Sequence, residues 1–132
     1  MIDSAGMMSA LLDSCPGFGS TYAAFLAEWH HESEKPYYLA LADFSRYLIA
    51  RLEAGDRQQL DAAFQTIERL HTEGDHYVRE AATIGILESL QNTHLHESTN
   101  PQQFVAFLRP VSLRYWRKVE DFWSNGTVIT DD

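Results

Sequence analysis

A glutamate followed three residues later by a histidine occurs three times, as Glu28/His31, Glu68/His71 and Glu73/His76. On a helix such a pair shares one face, and two facing helices that carry it can hold a pair of metal ions. Three occurrences are a mild excess over chance, so a metal, if one is bound, belongs on Glu28, His31, Glu68 and His71. Their placement argues against it. Glu28/His31 lies just before Pro36, Glu68/His71 just before Gly74, and Glu73/His76 straddles that break. Di-metal bundles set their ligands inside long facing helices. A histidine at a helix end is explained more simply by the negative pole of the helix dipole. No metal and no cofactor are therefore expected, and a small metal-dependent enzyme is the second reading rather than the first.

Other catalytic chemistry finds less support. In "WHHESE", residues 29–34, the adjacent histidines point about 100° apart on a helix. The zincin order, with histidines at i and i+4 around a glutamate, is absent. Ser20, Ser45, Ser89, Ser112 and Cys15 sit in no G-x-S-x-G elbow. No glycine-rich phosphate loop follows a strand, because no stretch alternates as a strand does. No catalytic residue is expected.

Charge points elsewhere. The 132-residue chain carries a net charge of −9. Residues 1–45 hold six acids and one base, while Arg109, Arg114, Arg117 and Lys118 gather near the C-terminal end. An acidic surface repels phosphate backbones and steers basic proteins toward itself, so nucleic acid is not an expected partner. Tyr37 and Tyr38 stand beside Glu32, Glu34 and Asp43, and aromatics among carboxylates make an interface patch. The candidate contact set is Glu28, Glu32, Glu34, Tyr37, Tyr38 and Asp43, joined by Glu73, Asp75 and His76 at the other turn. A single cysteine, Cys15, rules out an intrachain disulfide and fits the cytoplasm. No apolar run reaches the ~18–20 residues of a membrane span.

The elements that must position these groups are helices. Breaks at "CPGFGS", "ESEKP", "AGD", "EGD", "HESTNP" and "RP" separate segments of helical spacing. They predict helices over about 4–14, 20–32, 37–53, 57–73 and 76–93, a short one from Pro101, and one from Pro110 to Gly126. Asp56 with Gln59 resembles a capping box. The fourth helix buries Leu60, Phe64, Ile67 and His71. The seventh turns Leu113, Trp116, Val119, Phe122 and Trp123 inward. Short links make neighbours antiparallel. The fold expected is an all-α, compact single-domain array of six or seven antiparallel helices, built of α-hairpins and weakly HEAT-like, over residues 1–132. Residues 1–4 and 127–132 are expected as flexible tails.

Within the fifth helix, "TIGILESLQN", residues 83–92, mixes apolar and polar types. Val78, Ala81, Ala82 and Gly85 share one face at 100° per residue and admit a close neighbour. Glu88, Gln91 and Asn92 cluster beside that seam. Buried polar groups must be paired, so these three are expected to form a structural polar lock, with Arg114 or Arg117 as countercharge.

Residues 60 to 123 resemble an uncharacterised bacterial family of small acidic all-helical proteins. The resemblance is carried by Glu68, the Gly74-Asp75 turn, Val78 with Ala81, the G-x-x-E-x-L-Q-N pattern on Gly85, Glu88, Gln91 and Asn92, and the helix with Trp116 and Trp123. Such proteins resemble immunity proteins that neutralise toxins between competing bacteria. This implies a non-enzymatic protein-binding module whose partner is a cognate toxin domain. A helical adaptor without a toxin partner is the remaining alternative.

Overall fold

Aspartates start the helices, and prolines and glycines bound them. In the computed structural model, which describes residues 1–132, α1 spans Ser4–Ser14, α2 Gly19–Glu28, α3 Tyr37–Glu53 and α4 Arg57–Glu73. Then follow α5, His76–Glu80, and α6, Glu88–Gln91, joined by a π-helical segment, Ala81–Leu87; α7 is Pro110–Asn125. The carboxylates of Asp3, Asp56 and Asp75 accept from the amides of Gly6, Gln59 and Val78 at 2.9, 3.2 and 2.9 Å, capping α1, α4 and α5. Gly126, at φ 70°, closes α7 in the left-handed conformation that glycine adopts without strain.

Gly74 works differently. Its backbone is extended, and a β-carbon there would collide with the Leu70 carbonyl and Val78. Across this turn the Ile2 amide donates to Glu73 O, and the Asp75 amide to Ile2 O, both at 2.8 Å. The N-terminal residues, expected as a tail, are thereby tied to the α4–α5 turn. Gln59 also departs from the expected capping box. Its side chain accepts from Tyr47 OH at 2.9 Å and donates to Ser14 O at 2.7 Å, fastening α1 and α3 to α4.

The rod made of α5, the π segment and α6 runs through the centre. Val78, Ala81, Ala82, Ile86, Leu87 and Leu90 are all buried, as the small-residue seam and its apolar far side require. At Gly85 a β-carbon would lie 2.7 Å from Leu41 Cδ1, so the missing side chain sets how closely α3 approaches. The core continues through Phe18, Phe44, Phe64, Phe104 and Trp116. The π segment, with the Glu88 amide donating to Thr83 O five residues back, was not foreseen from the sequence. Thr83 and Ser89 hydroxyls donate to the Arg79 and Gly85 carbonyls at 3.1 Å each, satisfying acceptors near the widened turns.

Two expectations about α7 and its sequel are corrected. Ser112, Tyr115, Trp116 and Val119 face inward, but Phe122 and Trp123 are 38% and 53% exposed, because the last turns of α7 have no helix packed over them. Residues 127–132 are held rather than loose, through Ile129 against the core and a set of polar contacts from Asp131 and Lys118. The architecture is all-helical in a single compact domain, and no helix is long and apolar enough to cross a membrane.

Candidate functional site

The Glu-x-x-His residues of α4 form a buried junction with α7. Both Glu68 oxygens accept backbone amides, from Val111 at 3.0 Å and Ser112 at 2.7 Å. Pro110 opens α7 and leaves its first turn uncapped by any side chain of its own, so Glu68 caps it from another helix. Burial disfavours the Glu68 carboxylate, but the Ser112 and Val111 amides outweigh it and hold its pKa below the usual range. His71 uses both ring nitrogens, with Ser112 Oγ at 2.8 Å and Thr83 Oγ1 at 3.1 Å, and its ring stacks on Tyr115 at 4.5 Å. Burial pushes the imidazole down to about 4, against the opposing pull of Glu68. The ring is neutral, and its two neighbouring hydroxyls satisfy it. No group of three or more His, Cys, Asp or Glu side chains is placed to share one ion. This pair thus joins helices rather than offering open ligands.

The other two pairs lie at the surface. Glu28 and His31 are exposed, and His31 meets Glu32 at 3.4 Å. Glu73 pairs with Arg69 at 3.1 Å, while His76 reaches Glu80 at 3.4 Å and Asp131 at 3.2 Å.

The acidic and aromatic candidates separate into two groups. Tyr38 and Tyr77 meet edge to face at 6.0 Å. Glu34, Tyr37 and Tyr77 line one hollow of about 380 Å³ with Ser4, Ser33 and Lys35. The turn before α3 and the first turn of α5 therefore form one face, although about forty residues separate them in sequence. Burial, then Glu80 and Tyr77, push the Tyr38 phenol up to about 12. Burial, then Tyr37, Asp75 and Glu80, also raise Tyr77. Both phenols stay protonated at neutral pH and can donate hydrogen bonds. Glu28 and Glu32 stay outside this hollow, Asp43 pairs with Arg46 at 3.4 Å, and Asp75 caps α5. Tyr77 and Glu80 escaped the sequence reading. The available signal was that Tyr77 lies in the first turn of its helix, as Tyr37 and Tyr38 do in α3.

The polar lock takes a different form from the expected one. Gln91 Nε2 donates to Trp116 O at 2.9 Å and is buried, docking α6 on α7. Asn92 caps the next turn through His94 N at 3.1 Å. The expected countercharge for Glu88 is not made, since Arg117 pairs with Glu120 at 2.8 Å and Arg114 lies over the Tyr115 ring at 5.7 Å. Glu88 is half-buried, and burial raises its pKa. The π segment displaces it from the face that 100° steps assign.

No curated protein matches this sequence, and no solved structure matches it. A family described as "Domain of unknown function (DUF7674)" matches residues 8–124, which include the α4–α7 junction, the tyrosine face and the Gln91 dock. The chain belongs to the DUF7674 family, whose function is not known.

Proposed function

We propose that this chain is a non-enzymatic protein-binding module whose contact face is the tyrosine-and-carboxylate surface around Glu34, Tyr37, Tyr38, Tyr77 and Glu80. One observation supports the reading. Two sequence-distant acidic turns meet around three partly exposed phenols, Tyr77 being 40% exposed, while Tyr37 and Tyr38 are partly buried against the core. Aromatic anchors supply contact area at small entropic cost, and surrounding carboxylates steer a basic partner. The net charge of −9 adds to that steering. The partner that fits is a basic toxin domain, with carboxylates standing where phosphates would lie in its cleft. A basic partner without toxicity would use the same face as an adaptor.

The test is co-expression and co-purification with the product of the neighbouring gene, together with rescue of growth when that product is toxic. Tyr77→Ala is expected to weaken binding by about 2 kcal/mol, and Asp43→Asn, outside the cluster, to change it little. A partner that binds Tyr77→Ala and Glu80→Lys chains as tightly as the native one would exclude this face. Absence of both a partner and rescue would remove the immunity reading.

A further inference from the structure

On a chain this acidic, one place gathers cations around an acid. Asp131 receives Arg79 through Nε at 3.1 Å to both oxygens and through the second guanidinium arm at 2.7 Å. His76 Nδ1 stands 3.2 Å from the same carboxylate, and Tyr115 OH donates to it at 3.2 Å. Lys118 Nζ holds the next stretch of chain, donating to Thr130 O at 2.9 Å and Asp132 O at 2.6 Å. Two-pronged arginine–carboxylate contacts of this kind are geometrically selective.

Two of the receiving groups, Arg79 and Tyr115, are fixed without help from the segment they hold. The remaining arm of Arg79 donates to Gly74 O at 2.9 Å, at the turn where no side chain fits. Tyr115 is clamped by its stack on buried His71, and Lys118 lies over the Tyr115 ring at 5.1 Å. The occupant is held far more loosely by apolar contact. Within residues 127–132 only Ile129 is even partly buried, and Val128 is 80% exposed. Behind the segment a hollow of about 350 Å³ remains, lined by His76, Thr83, Ile84 and Ile129 among others, with Glu80 of the tyrosine face at its edge. A receptor anchored at Arg79 and Tyr115 thus holds an extended stretch by one aliphatic residue and two acids.

We propose that the Arg79–His76–Tyr115–Lys118 cradle is a binding site for an acidic segment of a partner protein, of the pattern aliphatic-x-acid-acid, and that residues 127–132 occupy it as a displaceable stand-in. Ile129, Asp131 and Asp132 supply that pattern within the chain. The site is opposite in polarity to the tyrosine face and does not depend on that face binding anything. Tethering gives the internal segment an effective concentration on the order of millimolar, so a partner must compete with it.

The test is fluorescence anisotropy with a labelled peptide of the sequence of residues 127–132, titrated with the full chain. The native chain is expected to bind it weakly. The Asp131→Asn chain, its own segment loosened, is expected to bind at least about tenfold more tightly. That gain should vanish with Arg79→Ala added, and for a peptide carrying Asn at both acidic positions. Equal weak binding by native and Asp131→Asn chains, both with cooperative unfolding, would reduce the cradle to an internal staple and overturn the proposal. Dimers formed by exchanging this segment, without peptide binding, would also overturn it. Should Asp131→Asn not fold, the native chain is studied by NMR under a large excess of unlabelled peptide. Displaced Thr130 and Asp131 amide signals would support the site, and unmoved signals would overturn it.

Discussion

Glu68/His71 and Glu28/His31 have the same residue types at the same spacing, and they end in opposite circumstances. The α4 pair lies under α7, with both carboxylate oxygens and both ring nitrogens engaged. The α2 pair stands in solvent at a helix end, where His31 has the exposed Glu32 and the rings of Trp29 and His30 beside it. Helix α2, expected to reach residue 32, ends at Glu28, so His31 lies beyond it. Three-residue spacing puts two side chains on one helix face only where the helix runs through both, as α4 does. What covers that face decides whether they become a structural junction or surface charge. In the buried case the imidazole is neutral and the carboxylate ionised, because desolvation penalises the imidazolium while two amides stabilise the anion.

The comparison can be broken most directly at His71. His71→Ala removes a stacked ring and takes the imidazole partner from the Ser112 and Thr83 hydroxyls, of which Thr83 keeps its bond to Arg79 O. Urea unfolding is therefore expected to show a loss of about 3–4 kcal/mol. His31→Ala should change stability by less than about 0.5 kcal/mol. Equal effects at the two sites would contradict the contrast.

Acid should expose the same difference. Burial holds the folded-state pKa of His71 down to about 4, below the ordinary imidazole value of about 6.5. Below pH 6.5 the unfolded chain therefore takes up a proton that the folded chain refuses until near pH 4. Stability is full above that window and falls as the pH drops through it, by roughly 3 kcal/mol for this group. A His71→Gln chain should lose that component of the pH dependence, measured as unfolding free energy against pH, and a His31→Gln chain should keep it.

Glu68 sharpens the other half of the pair. Glu68→Ala leaves two amides of the first turn of α7 without an acceptor and should lower stability by about 1–2 kcal/mol. Glu28→Ala should have no measurable effect. The smallest change is expected at Glu88, half-buried without a countercharge. Glu88→Gln should leave stability within about 0.5 kcal/mol of native at pH 7, with any change toward greater stability. A loss above 1 kcal/mol on thermal unfolding would reveal a partner that the geometry lacks.

Much of this was legible before any coordinates. Asp56 and Asp75 each stand at a helix start, Pro110 opens α7, and Gly126 ends it, whereas the Asp3 cap of α1 emerged only from the structure. The stripe Leu60, Phe64, Ile67 and His71 is buried throughout, as its periodicity requires. The tyrosine face was half legible, since Tyr37 and Tyr38 among acids stand out in sequence while Tyr77 does not. Phe122 and Trp123 misled for a plain reason. Their apolar character extends the stripe of α7 beyond the last helix available to cover it.

The sequence by itself determined where most helices begin and end and most of the stripe each turns inward, because capping, proline and periodicity act over a few residues. Helix α2, which stops at Glu28 short of residue 32, is an exception. Tertiary structure alone decided the rest. It widened residues 81–87 into a π segment and so turned Glu88 away from its expected partners. It set the Glu68 carboxylate under a helix that begins more than forty residues later. It also brought Tyr77 against Tyr38 and Asp131 onto Arg79. These outcomes depend on contacts between segments far apart in the chain, and local spacing holds no information about which faces will meet.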